Sequence, residues 1–265
     1  MSFFKSVLTG ATAPSTQHVL FTASALALAS LAGAPGAARA QGNASDIYKK
    51  MTAVYANAKS YQGTVIRQEK GMTPQGKPAT QTTTIKINYK APNKFLVANT
   101  TRSSSGAKTV VVHQSLVSDG KSMVMFTPDQ KLFQRAPVPV ENTLTRFFAL
   151  LNPTIGFTLQ PDSSFNSRPA YVLKPNIPPN LNAQQLEQAK KANILLLIDK
   201  KTFQFLKLTI SSAKGSLVQS ASGQTLNGAI SDSVFIWTPP ASYKEQVRPQ
   251  QGAPGGGGPS IPGIH

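Results

Sequence analysis

The 265-residue chain contains no cysteine. That absence excludes disulfide bonds, thiolate metal sites, a cysteine nucleophile and a lipid-carrying N-terminal cysteine. Acidic side chains are scarce too: 10 Asp and Glu stand against 27 Lys and Arg, for a formal net charge of +17. Histidine is limited to three residues, and His18 and His265 lie near the ends of the chain. A hydrolytic triad would therefore need His113, which sits in a Val-rich stretch where its neighbour Gln114 offers no carboxylate. No H-x-H, H-E-x-x-H or D-x-D-x-D spacing occurs, and Asp119, Asp129, Asp162, Asp199 and Asp232 stand singly beside turns, where aspartate is ordinary turn chemistry. The glycines at 255–258 precede no helix and lack the lysine of a phosphate loop. These shortages read as a protein with no catalytic set, no metal site and no cofactor.

The N-terminal stretch reads as an address. Lys5 supplies a positive region, residues 19–34 form a short apolar run, and Ala38-Arg39-Ala40 matches a small-residue cleavage site. We expect a signal peptide over residues 1–40, cleaved near Ala40, and export to the periplasm. The leader holds Lys5 and Arg39 and no acid, so the remainder carries 25 basic and 10 acidic residues, net +15. Such a charge favours anionic surfaces, and export directs it to lipid headgroups, envelope polymers or acidic partners and away from nucleic acid. At the other end, residues 248–265 are rich in proline and glycine and are expected to form a disordered tail.

Between these ends the periodicity reads as a single domain over residues 41–247. A first amphipathic helix is expected at 45–58, capped by Ser45, with Ile47, Met51, Val54 and Tyr55 on one face. Strands follow at 61–70, 80–90, 94–100, 108–118, 122–127 and 131–135, separated by short turns, and Asp119-Gly120 is the strongest hairpin signal. Ile85, Ile87 and Tyr89 alternate with Thr84, Lys86 and Asn88, as a sheet with one covered face requires, and Phe95 and Val97 repeat the pattern. A second helix at 141–151 carries Leu144, Phe147, Phe148 and Leu151, and a third at 182–191 has a thin apolar face that suits a rim. Further strands are expected at 171–174, 194–200, 204–211, 217–222 and 234–237. The unbroken apolar run 194–198 reads as a strand covered on both faces. The fold class is mainly β with α, an antiparallel meander covered by short helices. A one-sided apolar sheet with movable helices and no catalytic set suits the binding of apolar chains.

Several segments resemble the outer-membrane lipoprotein carriers of the LolA-like fold. They are Tyr61-Gln62-Gly63-Thr64-Val65, the step Pro92-Asn93-Lys94-Phe95, the hairpin at 116–126 with Pro128 and Asp129 after it, and the ending Phe235-Ile236-Trp237-Thr238-Pro239-Pro240. They occur in family order. The resemblance implies an open antiparallel half-barrel with a helical lid over an apolar cavity. Ile85, Ile87, Phe95, Val97, Met123, Met125 and Trp237 are then candidate cavity residues, with Leu144, Phe147 and Phe148 on the lid. It further implies a monomeric periplasmic carrier or chaperone for lipoprotein acyl chains or phospholipid, working between a membrane-bound donor and acceptor. Related sensor domains of envelope-stress pathways, or a ligand-free scaffold, are the alternatives. The carriers commonly place an arginine before the proline matching Pro92 to latch the lid; this chain has Ala91 there, with Lys90 one residue earlier.

Overall fold

Period-2 alternation becomes a single open sheet of 12 strands. The computed structural model describes residues 35–72, 76–138, 143–148, 156–177, 182–213 and 215–246. Residues 1–34 of the expected leader and the expected tail at 248–265 lie outside these residues, whereas the expected cleavage site Ala38-Arg39-Ala40 falls within the described helix Pro35–Ala56. Strands β1 (Ser60–Met72), β2 (Pro78–Lys90), β3 (Lys94–Ser105), β4 (Lys108–Asp119), β5 (Met123–Thr127) and β6 (Leu132–Ala136) form one meander. A second comprises β7 (Phe157–Phe165), β8 (Arg168–Pro175), β9 (Asn193–Asp199), β10 (Phe205–Ser212) and β11 (Gly215–Leu226), and β11 joins the first meander by pairing antiparallel with β1. The two-residue β12 (Lys244–Glu245) adds parallel to β6, leaving β7 and β12 as the outer strands of an unclosed sheet. This is the half-barrel that the sequence implied.

Turn chemistry holds the registers. Gly120 takes a positive φ of 92°, while Asp119 Oδ1 accepts from the Lys121 and Ser122 backbone N–H groups at 2.8 Å. Those bonds favour the charged carboxylate and hold the Asp119 pKa below the usual range.

Helix α1 (Pro35–Ala56) lays Ala44, Ile47, Tyr48, Met51 and Tyr55 on the concave face of the sheet, all buried. It starts well before the expected Ser45 cap: Pro35 is preorganised for a first helical turn and the alanines after it propagate helix, so Ser45 is interior. Helix α2 (Thr143–Phe148) packs beside it, and α3 (Ala183–Lys191) leaves Leu186 and Ala189 only half-buried, as a rim helix should.

Two expectations change and one strand is added. Strand β7 carried no expectation, because its polar Gln160 to Ser164 stretch with Pro161 breaks the apolar pattern; it forms by pairing with β8. The run 194–198 is fully buried on the concave face only, at Leu196 and Ile198, whereas Leu195 and Leu197 are half-buried on the convex side. There Leu197 lies between Val172 on β8 and Lys207 on β10. Residues 234–237 do not form a strand: Asp232–Phe235 is a 3₁₀ turn capped by Ser231, and its backbone bonds locally, Val234 N–H to Ser231 and Ile236 N–H to Ser233.

Candidate functional site

The concave face carries the main core, and its sheet half comes from alternate residues of the first meander. Ile87 and Tyr89 on β2 and Phe95 and Val97 on β3 are buried on this face, and the register pairs Tyr89 with Phe95 and Ile87 with Val97. Leu144 and Phe147 of α2 lie over this quartet. The six side chains line a small, partly open cavity of about 10 Å³. Its lining is apolar, and the Tyr89 hydroxyl is directed to the Pro92 carbonyl at 3.2 Å, so the void suits hydrocarbon and gives water no partners. Burial raises the Tyr89 pKa, which keeps the phenol neutral.

A polar anchor fixes the floor beneath α2. Phe148 is 1% exposed and stacks on Tyr55 with ring centroids 3.8 Å apart, edge-on to Tyr61. The Phe205 backbone N–H donates to the Tyr55 hydroxyl oxygen at 2.9 Å, and that hydroxyl donates to Gln224 Oε1 at 2.8 Å. Gln224 Nε2 donates in turn to the Phe205 carbonyl at 2.7 Å. Burial pushes the Tyr55 and Tyr61 phenols well above the usual tyrosine range, with the neighbouring phenol adding to the effect at Tyr55. Helix α2 thus rests on a platform whose own position is set by hydrogen bonds to β10 and β11.

Of the residues singled out from sequence, Ile87, Phe95, Val97, Leu144 and Phe147 come together in the cavity. Tyr89 joins them; the alternation that marked Ile85 and Ile87 also marked Tyr89. Ile85, Met123 and Phe148 belong to the adjoining core and do not line the cavity. Met125 is half-buried farther along β5, with Gln114 Nε2 at 3.3 Å from its sulfur. Trp237 is not part of this site. It stacks on Phe126 at 4.4 Å and packs edge-on to Phe133 and Tyr243, in a second cluster with Leu96, Val117 and Val124. Leu96 alternates with Phe95 and Val97, so that cluster occupies the convex face.

Lys90 does not stand in for the latch arginine. Its Nζ bonds Asp232 at 2.7 Å, and Lys94 bonds the other carboxylate oxygen at 2.8 Å, tying the 3₁₀ turn to β2 and β3. His113, without a carboxylate neighbour in sequence, has one in space. Asp129 accepts its backbone N–H at 2.7 Å and lies 3.0 Å from Nδ1. Both side chains are exposed, and the pair fastens the turn after β5 to β4. Among the described residues no group of three or more His, Asp or Glu converges as a metal site, and no helix is long and apolar enough to cross a membrane.

No curated protein matches the chain. Among solved structures it is similar to LprF from Mycobacterium bovis, at 10% identity over 77% of this chain and 98% of that one, with a TM-score of 0.40. Lipoprotein LppX from Mycobacterium tuberculosis matches at 11% identity over 72% and 98%, TM-score 0.41. A LolA superfamily protein from Nitrosomonas europaea matches at 15% identity over 73% and 97%, TM-score 0.33. At these scores the likenesses lend no weight to a functional assignment. A family model, in contrast, matches residues 44–178, just over half of the chain, from the buried face of α1 through the cavity strands and α2 to β8. The chain belongs to the family described as predicted periplasmic protein (DUF2092).

Proposed function

We propose that this protein is a periplasmic carrier or chaperone that takes the acyl chain of a lipid or lipoprotein between its concave sheet and α2. The carrying observation is the wholly apolar cavity at that junction, covered by Leu144 and Phe147 of α2. At about 10 Å³ it holds no ligand as it stands. Sites for small molecules span roughly 300–1,000 Å³, so an acyl chain enters only if α2 swings away.

The energies make that exchange plausible. A sixteen-carbon chain gains on the order of 10 kcal/mol on burial at about 0.8 kcal/mol per methylene. Undocking Leu144, Phe147 and Phe148 costs roughly 2–3 kcal/mol each, so the two burials are of the same size. Near-balance suits a carrier, which must release its load when a better acceptor appears. Membrane-bound donor and acceptor partners follow from this reading, and the family's description supports a periplasmic setting. The exposed His113 and Asp129 pair, fastened to a turn away from the cavity, supports a binding role over an enzymatic one.

Native mass spectrometry of the mature protein, purified from periplasm without detergent, tests the reading. Co-purifying lipid or lipoprotein, or uptake of added fatty acid or lipopeptide, is the expected result. A bare mass that takes up neither would overturn it.

A further inference from the structure

Strand β4 is longer than its outer neighbour. It pairs with β3 along its whole length, from Lys108 opposite Ser105 to Asp119 opposite Lys94, but β5 covers it only from Ser115 to Ser118. Among the described residues, 108–112 of β4 therefore have no strand on their outer side. The edge is also apolar: Val110, Val111 and Val112 are 48%, 37% and 44% exposed. Bare, flat, β-branched edges pair readily with other chains, and proteins usually blunt them with proline, bulges or inward charge. This segment has no proline, and its register with β3 runs without a bulge.

Its boundary is marked chemically. The His113 backbone N–H faces away from β3 and is taken by Asp129 at 2.7 Å. Alternation then directs the N–H and C=O groups of Thr109 and Val111 outward as well, two residues' worth of strand-pairing groups open to solvent. Apart from Asp129, which is held on His113 at the end of the edge, the charge around them is positive. β2 and β3 contain no acidic residue, and β4 contains none before Asp119. Lys86, Arg102 and Lys108 make no ion pair among the described residues, and Arg102 lies directly across from Val111. A second copy of the chain would bring more positive charge to the edge.

We infer that residues 108–112 of β4 receive an extended acidic peptide segment, added as a strand beside Val111 with its carboxylates near Arg102 and Lys108. Strand addition supplies the affinity through main-chain bonds, while side-chain charge selects the partner. This goes beyond acyl-chain binding and uses a surface outside the α2 cavity.

The test uses the mature protein and two fluorescein-labelled capped peptides, Glu-Val-Thr-Val-Thr-Val-Glu and its counterpart with lysine at both ends. Fluorescence anisotropy should show saturable binding of the acidic peptide, weakened by salt, and no binding of the basic one. Val111→Pro removes an outward N–H that the β3 ladder does not use, and edge positions of this kind tolerate proline. It should weaken binding about tenfold or more, whereas Val111→Thr, which keeps the backbone, should stay within about threefold. If Val111→Pro misfolds by circular dichroism, the double variant Arg102→Glu with Lys108→Glu takes its place and should reverse the peptide preference. No binding, equal binding of both peptides, or unchanged affinity in these variants overturns the inference. So does concentration-dependent dimerisation that Val111→Pro abolishes, because the edge would then belong to a second copy. Fatty-acid uptake is measured on the same variants and should not change, which separates this inference from the carrier reading.

Discussion

Tyr55→Phe isolates the anchor under the lid. The substitution keeps the ring that stacks on Phe148 and removes one oxygen, which both accepts from the Phe205 N–H and donates to Gln224. Gln224 retains its bond to the Phe205 carbonyl, so the principal loss is a buried backbone N–H with no acceptor. An orphaned buried donor costs about 1–3 kcal/mol, and the lost Tyr55–Gln224 bond adds about 1 kcal/mol, giving a net destabilisation of about 2–4 kcal/mol. For a domain of this size that corresponds to a fall in Tm of roughly 5–10 °C. Urea unfolding should show a lower midpoint at unchanged slope, and the Phe205 amide should exchange faster with deuterium. A change below about 0.5 kcal/mol would refute the idea that this hydroxyl carries the platform. The pH dependence follows the same geometry. The buried phenol has a raised pKa, so its contribution is complete below the unfolded value near pH 10 and declines above it. Parent and variant should therefore converge in stability in alkali.

Phe147→Asp places a charge at the cavity wall, where burial of an unpaired carboxylate is costly; acyl-chain affinity measured by fluorescent fatty-acid displacement should fall about tenfold or more, with the sheet circular dichroism unchanged. Asp232 has its pKa lowered to about 2 by Lys90 and then Lys94. Its contribution is present above the ordinary carboxylate value near 4 and is lost as pH falls through about 2; Asp232→Asn should flatten that acid limb of the stability curve. Gly215 has φ of +146°, and an added Cβ would lie 2.1 Å from the Lys70 carbonyl oxygen. Since backbone cannot yield as a side chain does, Gly215→Ala should destabilise by at least about 2 kcal/mol in urea unfolding.

What the sequence determined by itself is local. Alternation fixed that Ile87 and Tyr89 share one face and Phe95 and Val97 another stretch of it, because successive strand side chains must point to opposite sides. Turn residues fixed the hairpin at Asp119-Gly120, because glycine reaches a positive φ that other residues resist. Helical spacing fixed the buried stripe of α1. None of these rules says which face of a sheet a distant segment covers. The family resemblance implies Trp237 as a cavity residue, yet the chain after β11 crosses to the convex face, where Phe126 and Phe133 meet it. The Val-rich stretch of β4 gives no sign in the sequence of how far its neighbour extends, and β5 is too short to reach the three valines. His113 gained its carboxylate only when the turn after β5 folded back. Pairing, covering and closure are contacts between residues far apart in the chain, and a local pattern carries no information on them; only the tertiary structure decided them.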